Sequence, residues 1–183
     1  MTELHEDVER VMLTAEEIDE RVKAMAARLD ELYEGRNPVV ICILKGSVVF
    51  FADLIRNMKT PLELDFMAVS SYGAGTVSTG QLKIKKDLVT DIAGRDVLIV
   101  EDIIDSGNTL YNLKKFLNAR SPASVNIVTL LDKPERREAP IEPEYTCFVI
   151  EDEFVVGYGL DYAEAYRNLP YVGVLKRSVY EKE

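Results

Sequence analysis

Residues 96–110 place an acidic, glycine-containing turn directly after an apolar run, and this order constrains the fold more than any other feature. An apolar strand at 97–100 leads into Glu101 and Asp102, and the polar run 105–109 then precedes a helical pattern. A buried strand that opens into such a turn and a helix is where open α/β sheets bind ligands. Amides at a helix N-terminus favour a phosphate, whereas paired carboxylates favour sugar hydroxyls or a magnesium ion. The segment therefore predicts a site for a phosphorylated sugar.

Helical and strand patterns alternate along the rest of the chain. Thr14 and Glu17 form a capping-box pattern, and apolar residues then recur at helical spacing until Gly35. Further helices are predicted at 46–58 and 110–117, with a helical turn around 161–168. Strands are predicted at 38–44, 63–70, 82–87, 96–100, 124–132, 145–150 and 171–175. We expect an α/β fold with a mainly parallel, twisted sheet flanked by helices.

Length, charge and cysteine content limit the class of protein. The 183 residues fit a single domain, which we divide into a core at 14–156 and a small cap, or hood, at 1–13 and 157–183. A net charge of −10 argues against nucleic acid and anionic membranes as partners. Cys42 and Cys147 lie in apolar runs, which predicts core thiols in a reducing compartment. With no long apolar span and an acidic start, the sequence predicts a cytoplasmic protein.

The acidic strand-turn-helix segment resembles the phosphoribosyl-diphosphate (PRPP) binding motif of the type I phosphoribosyltransferases. The motif is an apolar strand, two acids, two apolar residues and then Asp-Ser/Thr-Gly-x-Thr. The resemblance implies the type I phosphoribosyltransferase fold. It implies that Glu101 and Asp102 hold the ribose hydroxyls, directly or through Mg²⁺, and that Asp105 is a general base. The residues implied to surround the 5′-phosphate are Asp105, Ser106, Gly107, Asn108 and Thr109.

Two further segments resemble loops of the purine phosphoribosyltransferases. Leu44, Lys45 and Gly46 follow the first core strand and are similar to the pyrophosphate loop, in which the Leu-Lys peptide is often cis. Taken alone, this segment would be a connecting turn with a solvated lysine. Ser71 and Tyr72 open a Gly- and Ser-rich stretch similar to the family's lid; its composition alone predicts only a mobile surface loop at 71–80.

The C-terminal third resembles the purine-binding part of hypoxanthine-guanine phosphoribosyltransferases. The resemblance implies that Lys133 donates a hydrogen bond to the 6-oxo group of the base, that Phe154 stacks on the purine ring, and that the Val155 backbone reads its pyrimidine edge. It places Asp161 near the base, the pyrophosphate and a second Mg²⁺, and Arg167 near the pyrophosphate. Without the resemblance, Lys133 would be an ordinary surface lysine and Phe154 a core residue.

The resemblance extends from about residue 8 to residue 175 and implies a bacterial-type hypoxanthine phosphoribosyltransferase of purine salvage. Its substrates would be PRPP and a 6-oxopurine, its cofactor Mg²⁺, and its assembly a homodimer or homotetramer. Two alternatives remain open: a non-catalytic, PRPP- or nucleotide-sensing regulator on the same fold, and a phosphoribosyltransferase for another base. The acidic charge disfavours a nucleic-acid-binding regulator, and Lys133 disfavours adenine. The preference among hypoxanthine, guanine and xanthine stays open.

Overall fold

The computed structural model of the chain describes residues 4–71 and 82–181, except for the side chain of residue 71. Its helices are α1 (Ala15–Leu32), α2 (Val48–Asn57), α3 (Asn108–Asn118) and α4 (Arg177–Tyr180), with a short 3₁₀ helix at Pro134–Arg136. The strands are β1 (Val8–Leu13), β2 (Val39–Leu44), β3 (Glu63–Ser71), β4 (Leu82–Lys86), β5 (Asp96–Ile104), β6 (Ser124–Asp132), β7 (Tyr145–Val149), β8 (Val155–Val156) and β9 (Val172–Leu175).

A six-stranded sheet in the order β4-β3-β2-β5-β6-β7 forms the centre of the molecule. Strands β3, β2, β5, β6 and β7 pair in parallel, and only β4 is antiparallel, at one edge. The apolar, β-branched sequence of β2 is buried along most of its length, as expected for a strand covered on both faces. The mainly parallel α/β fold predicted from the sequence is confirmed.

Alternating side chains of the central strands supply two hydrophobic cores. Helices α1 and α2 pack on one face, against residues that include Val40, Cys42 and Leu98. Helix α3 packs on the other face, against residues that include Ile41 and Ile99. Because successive side chains of a strand point to opposite faces of the sheet, each central strand buries residues on both faces, and its ends remain free for other contacts.

A second, three-stranded sheet in the order β1-β9-β8 joins the two ends of the described chain. It has its own cluster of buried residues, Val8, Val156, Tyr171 and Leu175, which we call the cap cluster. The division into a core at 14–156 and a cap formed by 1–13 and 157–183 stays a prediction. The pairing of β8 with β9 does place Val155–Val156 on the sheet of the cap.

The structure confirms one of three local predictions and contradicts the other two. The capping box is present, because the Thr14 side chain accepts from Glu17 N and the Glu17 side chain accepts from Thr14 N. The predicted end of the central strand at Val100 is wrong: β5 continues to Ile104, because β6 pairs with it as far as Asp132. The predicted helical turn around 161–168 is also wrong. This segment consists of turns with a single bridge between Tyr162 and Ala165.

The predicted loop at 71–80 lies outside the described residues from Tyr72 onward. Among the residues that the structure does describe, no helix is long and apolar enough to cross a membrane.

Candidate active site

The carboxyl ends of β2 and β5 lie side by side and enclose a cavity of about 340 Å³. Parallel pairing brings this about, because the chain leaves both strands at the same edge of the sheet. The cavity is lined by the turn after β2, by the last residues of β5 and by the start of α3. The predicted site residues among its lining are Leu44, Gly46, Glu101, Asp102, Asp105, Ser106, Gly107 and Thr109.

The turn between β5 and α3 depends on Gly107. This residue has φ of 79°, in the left-handed region that favours glycine. A Cβ atom there would lie 2.8 Å from Ile141 Cγ2 and 3.0 Å from Arg137 Cδ, so a side chain has no room either. Gly107, the N-cap residue of α3, offers no side-chain cap, and the Ser106 hydroxyl accepts only a long bond, of 3.4 Å, from Asn108 N. The first turn of the helix can therefore direct its backbone amides at an anion in the cavity.

Glu101 and Asp102 form an acidic pair near the end of β5. Burial among neighbouring protein atoms raises the pKa of Asp102 to about 6, while hydrogen bonding from the backbone N of Ile103 opposes the rise. Burial also raises the pKa of Glu101 well above its usual value, and repulsion from Asp102 adds to this. Both carboxyl groups thus hold their protons more readily than exposed acids do, and a bound cation or hydroxyl donors would favour their charged forms.

The third predicted magnesium ligand, Asp161, does not complete a cluster with this pair. Within 4–71 and 82–181, no three His, Cys, Asp or Glu residues lie close enough to hold a metal ion together. Two adjacent carboxylates still suit Mg²⁺, which commonly takes one or two protein carboxylates and completes its octahedron with water and substrate phosphates. The donor set therefore fits a magnesium ion that arrives with a phosphorylated substrate.

The loop after β2 lies directly against the acidic pair. The Leu44–Lys45 peptide is cis, as it often is in the pyrophosphate loops that this segment resembles. A Cβ atom on Gly46 would lie 1.7 Å from Asp102 Oδ2, and one on Gly159 would lie 2.0 Å from the Gly46 carbonyl oxygen. Two glycines thus allow the loop to pass between the carboxylate and the segment that follows β8.

Two basic residues, Lys45 of this loop and Arg167 of the segment after β8, each pair with an acid. Lys45 Nζ lies 3.1 Å from Glu164 Oε1, and both side chains are exposed. Arg167 donates from Nη1 to the Gly159 carbonyl at 2.8 Å, and its Nη2 lies 2.8 Å from Asp161 Oδ1. Each cation is thus paired with an acid beside the cavity, although none of these side chains lines it.

The residues predicted to bind a base lie outside the lining of this cavity. Lys133 follows β6, and its buried Nζ donates to the Glu153 carbonyl at 2.7 Å. Phe154 is 38% exposed, whereas Val155 is buried in β8. Lys133, Phe154 and Val155 do not line the cavity at the ends of β2 and β5, which we call the phosphosugar cavity after the ligand that the sequence predicts there. A second substrate could therefore bind at these three residues, outside that cavity.

Comparison with known proteins gives this arrangement a family. The phosphoribosyl transferase domain matches residues 13–163. The chain belongs to the phosphoribosyl transferase family. It is 55% identical over 177 residues to the hypoxanthine-guanine phosphoribosyltransferase of Streptococcus pneumoniae, covering 97% of this chain and 98% of the relative. Its identity to the Bacillus subtilis protein of the same name is 55% over 175 residues, 96% of this chain and 97% of the relative.

A solved structure gives the same family. The crystal structure of a hypoxanthine phosphoribosyltransferase from Staphylococcus aureus superposes with a TM-score of 0.95 at 52% sequence identity, covering 97% of each chain. The type I phosphoribosyltransferase fold inferred from the motif is thereby confirmed.

Two arginines of this phosphoribosyl transferase approach Asp105 without having been predicted. Arg136 Nε lies 2.7 Å from Asp105 Oδ1, and Arg136 Nη1 lies 3.3 Å from Asp152 Oδ2. The two acids raise the pKa of the Arg136 guanidinium. Arg137, whose side chain is largely buried, donates to the Asp105 carbonyl and to the Asp132 carboxylate. The only local signal was that both arginines follow Lys133 at the end of a predicted strand.

Asn108, Ser71 and Tyr72 complete the set of predicted site residues. Asn108 begins α3 and donates from Nδ2 to Glu138 Oε2 at 2.8 Å, outside the cavity lining. Ser71 ends β3, whose neighbour Ser70 does line the cavity. Tyr72, the second predicted lid residue, lies outside the described residues.

Proposed function

We propose that the protein is a hypoxanthine-guanine phosphoribosyltransferase of purine salvage. It transfers the 5-phosphoribosyl group of PRPP to hypoxanthine or guanine, releasing pyrophosphate and giving IMP or GMP. The observation that supports this most strongly is the 55% identity to hypoxanthine-guanine phosphoribosyltransferases over nearly the whole chain. The cavity at the ends of β2 and β5 supports it independently, because the start of α3 suits the phosphate of a phosphorylated sugar and the two carboxylates suit its hydroxyls.

PRPP fits the cavity in one orientation. The turn at 105–109 and the uncapped start of α3 supply amides and hydroxyls for the 5′-phosphate. Glu101 and Asp102 accept from the ribose hydroxyls, where phosphate would be repelled. The pyrophosphate then points towards Lys45 and Arg167, whose present acidic partners it would replace.

Magnesium fits as the cofactor of this site, where Glu101 and Asp102 would hold it beside PRPP, with Asp161 close by. Bound there, it would supply positive charge opposite the charge that develops on the departing pyrophosphate. The chain's own contribution to this step is positional. Lys45 and Arg167 offer ammonium and guanidinium donors at the leaving group, and Gly46 lets the loop lie against Asp102 without a side chain between them.

The base approaches from the edge formed by Lys133 and Phe154. An ammonium has donors only, so Lys133 Nζ suits a 6-oxo group and disfavours a 6-amino group. Phe154 presents an exposed ring for stacking, and the backbone of the neighbouring Val155 would read the pyrimidine edge. Asp105, next to both substrates, accepts the purine N7 proton as C1 of the ribose is attacked.

One assay tests the proposal. PRPP-dependent turnover of hypoxanthine, guanine, xanthine and adenine is measured side by side with Mg²⁺ and with the metal chelated. We expect magnesium-dependent turnover of hypoxanthine and guanine, and little with adenine. Preferred turnover of adenine would assign the enzyme to another base. PRPP binding without turnover of any base would make the protein a regulator.

We also infer a cytoplasmic protein that assembles as a homodimer or homotetramer. Its two cysteines are both free and buried, which fits a reducing compartment. Analytical ultracentrifugation measures the assembly directly, and a monomer at micromolar concentration would contradict this inference.

A further inference from the structure

Phe154 is held by two other aromatic rings. Its ring stacks on Tyr180, with the centroids 4.7 Å apart and the planes 20° from parallel. Tyr162 meets it edge-on, with the centroids 5.5 Å apart and the planes at 85°. Despite these contacts, 38% of Phe154 stays exposed. Two neighbours therefore fix the ring while leaving it accessible.

Both neighbours belong to the cap. Tyr162 and Tyr180 pack against the cap cluster. The backbone links the two elements as well, because Leu175 N at the end of β9 donates to the Phe154 carbonyl at 2.8 Å. Helix α4 follows β9 after one residue, and Lys176 N donates to the Asp7 carbonyl at 2.9 Å. The Tyr180 ring is thus carried on a short, tethered segment beside Phe154.

We propose that Tyr180 is a positioning residue for base binding, which holds the Phe154 ring so that its opposite face accepts a planar heteroaromatic base. This inference deepens the proposed function and rests on the stacking role given there to Phe154. A ring already fixed loses less conformational freedom when the base binds, and a preorganised contact binds more tightly than a loose one. The α4 segment near the C-terminus thereby contributes to base affinity without touching the base.

Tyr180 and Phe154 line the same cavity of about 400 Å³, together with Glu9, Asp152, Glu153 and Arg177. This cavity is separate from the one at the ends of β2 and β5, which neither ring lines. The opposite role, in which the Tyr180 ring blocks the base, predicts a lower hypoxanthine KM when the ring is removed, so the variants below distinguish the two roles.

The test compares Tyr180→Ala, Tyr180→Leu and Tyr180→Phe in the full-length, magnesium-loaded enzyme. Tyr180→Phe keeps the stacked ring, so we expect the native KM for hypoxanthine. Tyr180→Leu keeps apolar volume but lacks a planar face, and Tyr180→Ala lacks both. For these two we expect a rise in hypoxanthine KM of about two- to tenfold, the range that an aromatic pair contributes. KM for PRPP should stay within about twofold, since its ligands lie elsewhere.

Double variants with Phe154→Ala show whether Tyr180 acts through Phe154. Phe154→Ala alone should raise the hypoxanthine KM, and adding Tyr180→Ala should raise it no further. If Phe154→Ala changes KM and Tyr180→Ala does not, the positioning role fails while the proposed function stands. If neither changes KM, the stacking role of Phe154 fails with it. A lower KM in Tyr180→Ala would show that the ring blocks the site, which overturns the inference.

Val179→Ala is the matched control. Val179 lies on the same short helix and packs against the same cap cluster. Its truncation loosens α4 without removing the stacked ring, so the hypoxanthine KM should remain native. A rise equal to that of Tyr180→Ala, with the same drop in melting temperature and an unchanged oligomeric state, would assign the effect to the cap as a whole.

Discussion

Asp105 lies where the end of β5, the turn at 105–109 and two arginines meet. Its Oδ1 is 2.7 Å from Arg136 Nε, and its carbonyl oxygen accepts from Arg137. Asp105→Asn keeps the size of the side chain and removes its ability to accept a proton, together with the charge that faces Arg136. We expect the fold and the KM for PRPP to be retained and kcat to fall by about 10²-fold or less, at the low end of the usual contribution of a general base. Native kcat in this variant would remove Asp105 from proton transfer.

We expect Lys133 to decide between a 6-oxo and a 6-amino base. Its buried ammonium now donates to the Glu153 carbonyl, so its position is fixed before any base arrives. Lys133→Gln offers both a donor and an acceptor. We therefore expect hypoxanthine and guanine turnover to fall and adenine turnover to become detectable in the same four-base assay. An equal loss for all bases together with a raised PRPP KM would instead assign Lys133 to phosphate binding.

At the scale of elements, the loop between β2 and α2 fits only because Gly46 has no side chain. Its backbone conformation is one that alanine can adopt, yet a Cβ would lie 1.7 Å from Asp102 Oδ2. Gly46→Ala should therefore displace the carboxylate or the loop and lower kcat/KM for PRPP. A misplacement of about 1 Å at a reacting centre costs on the order of 10²-fold.

Gly35→Ala is the matched control for this substitution. Gly35 has φ of +69° and nothing within 4 Å of an added Cβ, so alanine there is strained but meets no neighbour. We expect a lower melting temperature with native kinetic constants. Native activity in Gly46→Ala, measured beside it, would show that Asp102 tolerates the contact.

The elements also show what a sequence can reveal about such a site. The turn at 105–109 was predictable because its parts are contiguous and glycine is required at 107. Contacts made across the fold were not: Gly46 meets Asp102, and Arg136 meets Asp105, only after parallel pairing aligns β2, β5 and β6. Likewise β5 extends to Ile104 because β6 pairs with it that far. In the sequence, the acidic residues at 101–102 indicated that the strand ended before them.

For the whole molecule, the acidic pair in β5 links stability to pH. An aspartate in an unfolded chain has a pKa of about 3.9, whereas burial raises that of Asp102 to about 6 in the folded protein. Glu101 shifts in the same direction. Between these values the folded state binds more protons than the unfolded state. The free energy of unfolding contributed by the pair is therefore greatest below about pH 4 and is lost as pH rises to and beyond about 6.

Asp102→Asn removes this charge and can still accept from Ile103 N, as Asp102 Oδ1 does. In the ligand-free protein, with divalent ions chelated, we expect its melting temperature to come closest to the native value near pH 4. As pH rises above 6.5 it should exceed the native value by several degrees, because each kcal/mol of difference shifts the melting temperature of a protein of this size by about 2–4 °C. Asp19→Asn removes the same charge from an exposed position on α1 and reports any general relief of the net charge of −10. An equal, pH-dependent gain in both variants would show that whole-molecule repulsion, and not the burial of Asp102, sets the pH dependence.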